Sequence, residues 1–468
     1  MSERRFMAWA LPRGVGMPPG PGLTVGVGGA EIQYLDADAG WIRSLTESLG
    51  ESSGPIVARP AREIAAVLGL VGRRFLDPND PLREEALRLL PPTAGVSREM
   101  AEAVLDGMAT DWTEARLSAM ATTEFGSVGA LDRFVAHGDG RTLVVGPKLS
   151  FQIVSGSVPG VSVNAMLRSL MVKGPTLVKP GRGDVVLPVL FARALREADP
   201  VLADSVAVVY WPGGRESLED GAMSSASVVT AYGSDAVVTA LRARAPVSTR
   251  FVAYHHRLSA GVVGRRALAP DAIDAVVGDV ARAVAMFDQR GCVSPHVVYV
   301  EEGAAIDPPA FGTLLAAALR ALEDELPGGS LEAVEASAVH QVRGTAELMA
   351  ASGSGVEVHH GGGASWTVIY DPSPAFSPSC VGRVVRVKPL PRLSVLARLI
   401  APFGAHLQTM GVAGVGDDDL ESLAEALGRV GVSRVAAFSE VPFPPSTWHH
   451  DGGGPLRDFV RYVDLEGT

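Results

Sequence analysis

Between residues 149 and 255 the chain alternates short runs that are apolar throughout with segments of helical periodicity. The runs are LSFQIVSG (149–156), PTLVK (175–179), SVAVVYW (205–211), ASVVTAY (226–232) and TRFVAYH (249–255). Among them lie GVSVNAMLRSLMVK (160–173), VVLPVLFARALRE (185–197) and SDAVVTALRARA (234–245). A strand with one wet face alternates polar and apolar residues, and these runs do not, so both of their faces must be buried. The pattern predicts a doubly wound α/β domain: a parallel sheet with helices on both faces, whose ligands bind outside the carboxyl ends of the strands.

The flanks are read in the same way. Residues 1–60 are rich in Gly and Pro and read as an irregular extension with a few strands. From 61 to 135 the period is helical, with Ile64, Val67, Leu68 and Val71 on one face and an interruption at Pro91 and Pro92. A second α/β stretch begins near 256. Its helix at 270–288 carries Ile273, Val276, Val277, Val280, Val284 and Phe287 on one stripe and ends at Gly291. A strand at 296–302, helices near 308–326 and 331–352, and strand-like segments near 355–371 and 382–388 follow. The predicted domains are 1–255, 256–425 and 426–468.

Composition narrows the function classes. Of 468 residues, 47% are hydrophobic and 20% charged, the balance of a globular protein with a large core. A net charge of −11 argues against a nucleic-acid or acidic-membrane partner, which needs a basic face. There is no run of 18 uncharged apolar residues, so no membrane span is predicted, and the N-terminus does not read as a signal peptide. Cys292 and Cys380 have no metal-ligand spacing and read as thiols in a reducing compartment, hence a cytoplasmic protein.

Five motifs carry candidate chemistry. In QRGCVSPHVVYV, Cys292 follows a helix, Gly291 permits a close approach, and Ser294 and Pro295 extend the chain. That loop displays a nucleophilic thiol, or it buries a small core residue. Cys380 reads as core. In AYGSDAVV, Gly233 turns the chain and Ser234 or Asp235 caps a helix, either a phosphate site or an ordinary N-cap. In LVKPGRGD, Lys179 and Arg182 sit at a strand end, placed for a ribose or 2′-phosphate or simply solvated. In YHHRLSAGVVG, His255 and His256 point opposite ways, so at most one of them does acid–base work. His449, His450 and Asp451 of WHHDG are consecutive, which does not suit one ion, and no metal is expected.

Taken together, these segments resemble the LuxC-type fatty acyl-CoA reductases of bacterial bioluminescence, a branch of the aldehyde dehydrogenase superfamily. The matching stretches are IVSGSVPGVSVNAMLRSLMVKGPTLVKPG, AVVYWPGG, VVTAYGSDA, GCVSPHVVYVEEG, FSPSCVGRVVRVKPL and PPSTWHHDG through RYVDLE, over roughly residues 140–466. The resemblance implies an aldehyde dehydrogenase-like fold. Residues 1–255 would bind a nicotinamide cofactor and carry oligomerisation strands near 136–150. Residues 256–425 would be catalytic, and 426–468 would pack back on the cofactor and oligomerisation region of a homo-oligomer. It places the nucleophile on Cys292, the cofactor-loop lysine on Lys179, and the phosphate turn on Gly233 and Ser234. Gly213, in the matched AVVYWPGG, and Arg182, read from its place at the strand end, complete the expected cofactor set.

Two positions depart from the superfamily pattern. Its oxyanion-donating Asn corresponds to Ser157. Its Glu-Leu-Gly-Gly glutamate is replaced by the stretch His255-His256-Arg257-Leu258-Ser259, with His255 the candidate catalytic histidine. A hydrolytic enzyme needs a base to activate water, whereas a thioester reductase is harmed by one. The expected reaction is therefore reduction of acyl-CoA, or of acyl-carrier protein, to an aldehyde through a Cys292 acyl-enzyme. Lys179 and Arg182 favour NADPH. A cysteine thioesterase or acyltransferase, and a non-catalytic scaffold, are the alternatives.

Overall fold

The computed structural model describes residues 5–467. The chain forms two compact units. The first comprises the described residues up to Ala94, Ala101–His255, and those from Pro445 on; the second comprises Gly95–Met100 and His256–Pro444.

The first unit is built on a six-stranded sheet in the order Arg250–Tyr254, Val228–Tyr232, Ser150–Ile153, Thr176–Lys179, Val206–Val209, Trp9–Ala10. All neighbours are parallel except the short edge strand Trp9–Ala10. The strands and intervening helices (Val161–Met171, Val186–Ala198, Asp235–Arg244) fall where the alternation of apolar runs places them. One face is covered by Ile42, Leu45, Leu49, Leu218, Met223 and Leu241, packed on Phe151, Leu177, Val209 and Val229. Strand order reverses between Ser150–Ile153 and Val228–Tyr232, the position at which doubly wound sheets open a crevice.

The first 60 residues are more ordered than their Gly and Pro content predicts. Leu23–Val27 and Ala30–Tyr34 form an antiparallel hairpin whose turn, Gly28-Gly29, has φ of 56° and 80° at its two residues, as a tight two-residue turn of this hand requires. Arg5–Met7 adds to Ala30–Tyr34 in parallel. The helix Ala39–Glu51 is not legible in the sequence because it contains Gly40 and Gly50, poor helix formers. Its stripe Ile42, Leu45, Leu49 is buried, and the Asp38 carboxylate accepts the Trp41 N–H at its start. Pro91 and Pro92, read as an interruption, instead lie in the last turn of Pro81–Ala94, where neither has an amide N–H to give to the carbonyl four residues earlier. A small antiparallel sheet, Arg461–Leu465, Gly140–Val145, Val135–His137, ties the chain's end to the segment expected to oligomerise.

The second unit holds a seven-stranded sheet in the order Glu357–His360, Thr367–Tyr370, Val384–Leu390, Pro295–Glu301, Leu258–Val263, Leu407–Ala413, Arg434–Ala437. Only the first pair is antiparallel. The strand Leu407–Ala413 and the helix Asp417–Arg429 were not read from the sequence. Because Arg434–Ala437 pairs with Leu407–Ala413, residues 426–444 go with this sheet, and the chain rejoins the first unit at Pro445.

Candidate active site

The expected cofactor residues share one edge of the first unit's sheet. Ser157, Lys179, Gly213, Gly233 and His255 all follow or end strands at their carboxyl ends. Two of these loops meet backbone to backbone. A Cβ on Gly181 would fall 2.1 Å from the Gly156 amide nitrogen, so neither loop tolerates a side chain there. The Ser157 loop is held further by Asp184, which sequence reading missed. Its fully buried carboxyl accepts from the Gly160 and Ser162 amides, each at 2.7 Å, and so caps the helix Val161–Met171. Burial pushes the Asp184 carboxyl up to about 7. Ser157 itself is exposed.

Lys179 is 8% exposed, and burial lowers its pKa. It forms no ion pair within 4 Å among the described residues, so a buried cation stands ready for an anionic or polyhydroxyl ligand. Arg182 is exposed and lines a cavity of about 500 Å³ with Tyr34, Tyr210, Trp211, Pro212 and Arg215. The Tyr34 and Tyr210 rings lie 4.8 Å apart. The Trp211 indole N–H is buried and has no hydrogen-bond partner among the described residues. An aromatic cleft with two guanidinium groups and an unpaired donor fits the adenosine end of a dinucleotide. Of the expected cofactor residues, Arg182 is the one that lines this cavity.

The Gly233-Ser234 turn is less simple than a phosphate cradle. The Ser234 hydroxyl caps its own helix, accepting from the Val237 amide at 3.4 Å. Asp235 opens the helix, where its charge competes with a bound phosphate; it lies 3.3 Å from His255 Nδ1, which offsets part of that charge when protonated. His255 is thus brought to the turn, while His256 falls in the second unit, its carbonyl 3.2 Å from His406 Nδ1.

The WHHDG segment forms a ring stack. Tyr232, Tyr254, His450 and Trp448 follow one another at centroid distances of 4.5, 4.2 and 4.7 Å, with near-parallel planes. The buried Arg168 donates to the Tyr232 hydroxyl at 3.4 Å. Arg168 is one of two charges in the stretch 160–173, with Lys173 at its end, and sequence reading missed it.

In the second unit Cys292 is exposed on the tight turn Gly291–Ser294, closed by the Ser294 amide on the Gly291 carbonyl at 3.0 Å. Val293 beside it is buried. The preceding helix stops at Ala285, short of Gly291, and Phe287, Asp288 and Gln289 then take φ of 58°, 49° and 63°. Three successive left-handed residues with side chains cost roughly 1–2 kcal/mol each. Buried polar bonds hold them. Asp288 pairs with Arg383, which is 2% exposed, through Nε at 2.9 Å and Nη2 at 2.8 Å. Arg383 also donates to the Leu326 and Pro327 carbonyls. The Gln289 amide bridges two strand starts: it donates to the Pro295 and Val384 carbonyls, both at 2.8 Å, and accepts from the Val384 amide at 2.7 Å. Below the turn, Ser259 donates to the Cys292 carbonyl at 2.7 Å and accepts from the Thr409 amide at 3.1 Å. Cys380 is half-buried against the cluster around Val339 and Ala346, and burial raises its pKa, the behaviour of a packing residue.

Removing the Asp288 carboxylate strands a buried guanidinium, which typically costs 3–5 kcal/mol. Asp288→Ala should lose about that much in urea unfolding; a loss under 1 kcal/mol would show that the pair does not hold the turn. His296, four residues after Cys292, is 7% exposed and keeps its ring nitrogen 3.0 Å from the Ser379 carbonyl; burial lowers its pKa to about 4. The unfolded chain takes up a proton near pH 6.5 that the folded chain refuses until about 4. That stability is present above pH 6.5 and is lost as pH falls to 4, by about 3 kcal/mol at most. His296→Asn should flatten this acid limb, and an unchanged difference in stability between pH 7 and pH 4 would contradict it.

Comparison with known proteins places this geometry. The chain resembles the long-chain acyl-protein thioester reductase of Aliivibrio fischeri, at 24% identity over 408 residues, covering 86% of this chain and 82% of that one. It resembles the enzyme of the same name from Photobacterium phosphoreum at 22% identity over 413 residues, covering 86% and 80%. Among solved structures, an Escherichia coli NADP-dependent enzyme superposes with a TM-score of 0.77 at 14% identity, covering 98% of each chain. An NAD-dependent aldehyde dehydrogenase from Sinorhizobium meliloti gives 0.75 at 16% identity, covering 99% and 94%. The fold is that of the aldehyde dehydrogenases. Residues 58–462 match the acyl-CoA reductase (LuxC) family, and the chain belongs to it.

Proposed function

We propose that this chain reduces an acyl thioester to an aldehyde, with Cys292 as nucleophile and NADPH as reductant. The observation that carries this reading is the exposed thiol on a turn that the structure goes to unusual lengths to hold. Family membership and the acyl-protein thioester reductases it resembles point to the same chemistry.

Cys292 loses its proton and the thiolate attacks the acyl carbon. A carbon–sulfur bond forms, the bond to the donor's sulfur breaks, and the departing thiolate takes up a proton. The oxyanion formed on the way needs donors, for which the Cys292 amide and the Ser157 hydroxyl are the candidates; one such donor is commonly worth about 2.7–4 kcal/mol. When bound, the dihydronicotinamide supplies the hydride that brings the acyl group to the aldehyde level. Release of the aldehyde returns the Cys292 thiolate. No glutamate stands in the His255–Ser259 stretch to activate water against the acyl-enzyme, and His255, beside Asp235, is the acid–base candidate in its place. Lys179 holds the ribose hydroxyls, and Arg182 the 2′-phosphate. Gly213 and the Gly233-Ser234 turn carry the rest of the nucleotide. The donor is acyl-CoA or an acylated protein, and the edge of the sheet at Val135–His137 is where a second copy of the chain would add.

Incubation with a radiolabelled acyl-CoA should acylate the wild type at Cys292, and NADPH should then release aldehyde. Cys292→Ala should show neither, and labelling that persists in this variant places the nucleophile elsewhere. Release of CoA and fatty acid with no NADPH oxidation identifies a thioesterase. Arg182→Ala should raise the KM for NADPH about 10-fold or more while leaving that for NADH nearly unchanged, the size expected when a charged hydrogen bond is lost. An equal effect on both cofactors assigns the 2′-phosphate to another residue.

A further inference from the structure

Five parallel strands of the second unit begin side by side: Val384–Leu390 lies beyond Pro295–Glu301, and next to the latter come Leu258–Val263, Leu407–Ala413 and Arg434–Ala437. Cys292 lies three residues before Pro295, so its turn belongs to the amino edge of this sheet. The same edge carries an arginine in the first position of the last strand. Arg434 is the register partner of Thr409. The Thr409 amide donates to the Ser259 hydroxyl, and that hydroxyl donates to the Cys292 carbonyl. Ser259 is fully buried and Thr409 is 2% exposed, so this chain of bonds fixes the Cys292 turn to the strand beside Arg434.

The Arg434 head is itself fixed. Its guanidinium donates to the Val441 carbonyl at 2.9 Å and to the Glu440 carbonyl at 2.5 Å. Both acceptors are neutral, so they orient the group without cancelling its charge. The acidic group that acts on Arg434 from its own segment is the Glu440 side chain, and Cys292 acts on it from across the sheet. Burial costs this cation part of its affinity for the proton, which brings it down to about 10, still charged at neutral pH. A thiolate is the nucleophilic form, and a fixed, partly buried cation nearby is one of the few ways to populate it at neutral pH.

The geometry points to Arg434 as the electrostatic partner of Cys292, a positioned cation that favours the thiolate, with Ser259 holding the turn in its field. This rests on the reading of Cys292 as nucleophile, but its test does not require turnover. The readout is the rate of iodoacetamide alkylation at the Cys292 peptide, followed by mass spectrometry across pH, which keeps Cys380 separate. In the wild type the midpoint should lie below the ordinary thiol value of about 8.5. Arg434→Gln keeps a polar side chain with an N–H donor but carries no charge. Its midpoint should rise by about one unit, with alkylation at pH 7 about 10-fold slower. Arg434→Lys should restore at least half of that shift, which a merely structural role would not do. Glu440→Gln, which removes the opposing charge, should leave the midpoint where it is or lower it. An Arg434→Gln protein with wild-type melting temperature and an unchanged midpoint overturns the assignment, as does a rise in Glu440→Gln. If instead Cys292→Ala keeps acyl transfer while the Arg434→Gln shift is present, the nucleophile reading fails and the pairing stands.

Discussion

The candidate active site depends on a buried ion pair. Asp288 and Arg383 hold each other away from water, and between them they keep the backbone in a left-handed run that no local preference of Phe287, Asp288 or Gln289 favours. A buried pair is weak evidence for stability, because desolvating both charges offsets most of their attraction. Its effect here is geometric. With Arg383 anchored by two further carbonyls, and the Gln289 amide completing the ladder between two strand starts, the chain leaves the helix at Ala285 and reaches Cys292 in one conformation. A preorganised nucleophile loses little entropy when it meets its substrate.

Each unit builds its candidate edge by different means. In the first, the candidate ligand residues lie at carboxyl ends next to a reversal of strand order, the usual crevice of doubly wound sheets. In the second, Cys292 lies at the amino edge, where no such rule applies and side-chain bonds do the positioning. This explains why the first edge is built from glycines and loops while the second is built from buried polar residues.

Much of the fold was legible. The strands from Ser150 to Tyr254 are apolar on both faces, and that property is local to each run. The strand Leu407–Ala413 escaped because LQTMGVA mixes polar and apolar residues; Gln408 and Thr409 are buried all the same, and the Thr409 amide finds its acceptor on Ser259, far away in the chain. The helix end at Ala285 escaped for a similar reason. The stripe of Val and Ile runs straight on into Phe287, and only Arg383, nearly a hundred residues later, explains the break. At the site, Cys292, Lys179 and Arg182 were visible from chemistry and resemblance. Asp184, Arg168 and Arg434 were not, because each looks like a solvated charge until its surroundings are known.

The hairpin Leu23–Tyr34 forms one wall of the cavity that Arg182 shares, yet it precedes residue 58, where the family match begins. Arg182, Tyr210, Trp211, Pro212 and Arg215, which lie within the family match, therefore make up only one side of the cleft. The opposite side is contributed by a hairpin that belongs to a separate three-stranded sheet. A nucleotide bound there as proposed would meet this hairpin on one side, so its preference could be altered by substitutions near the start of the chain that leave the central sheet intact.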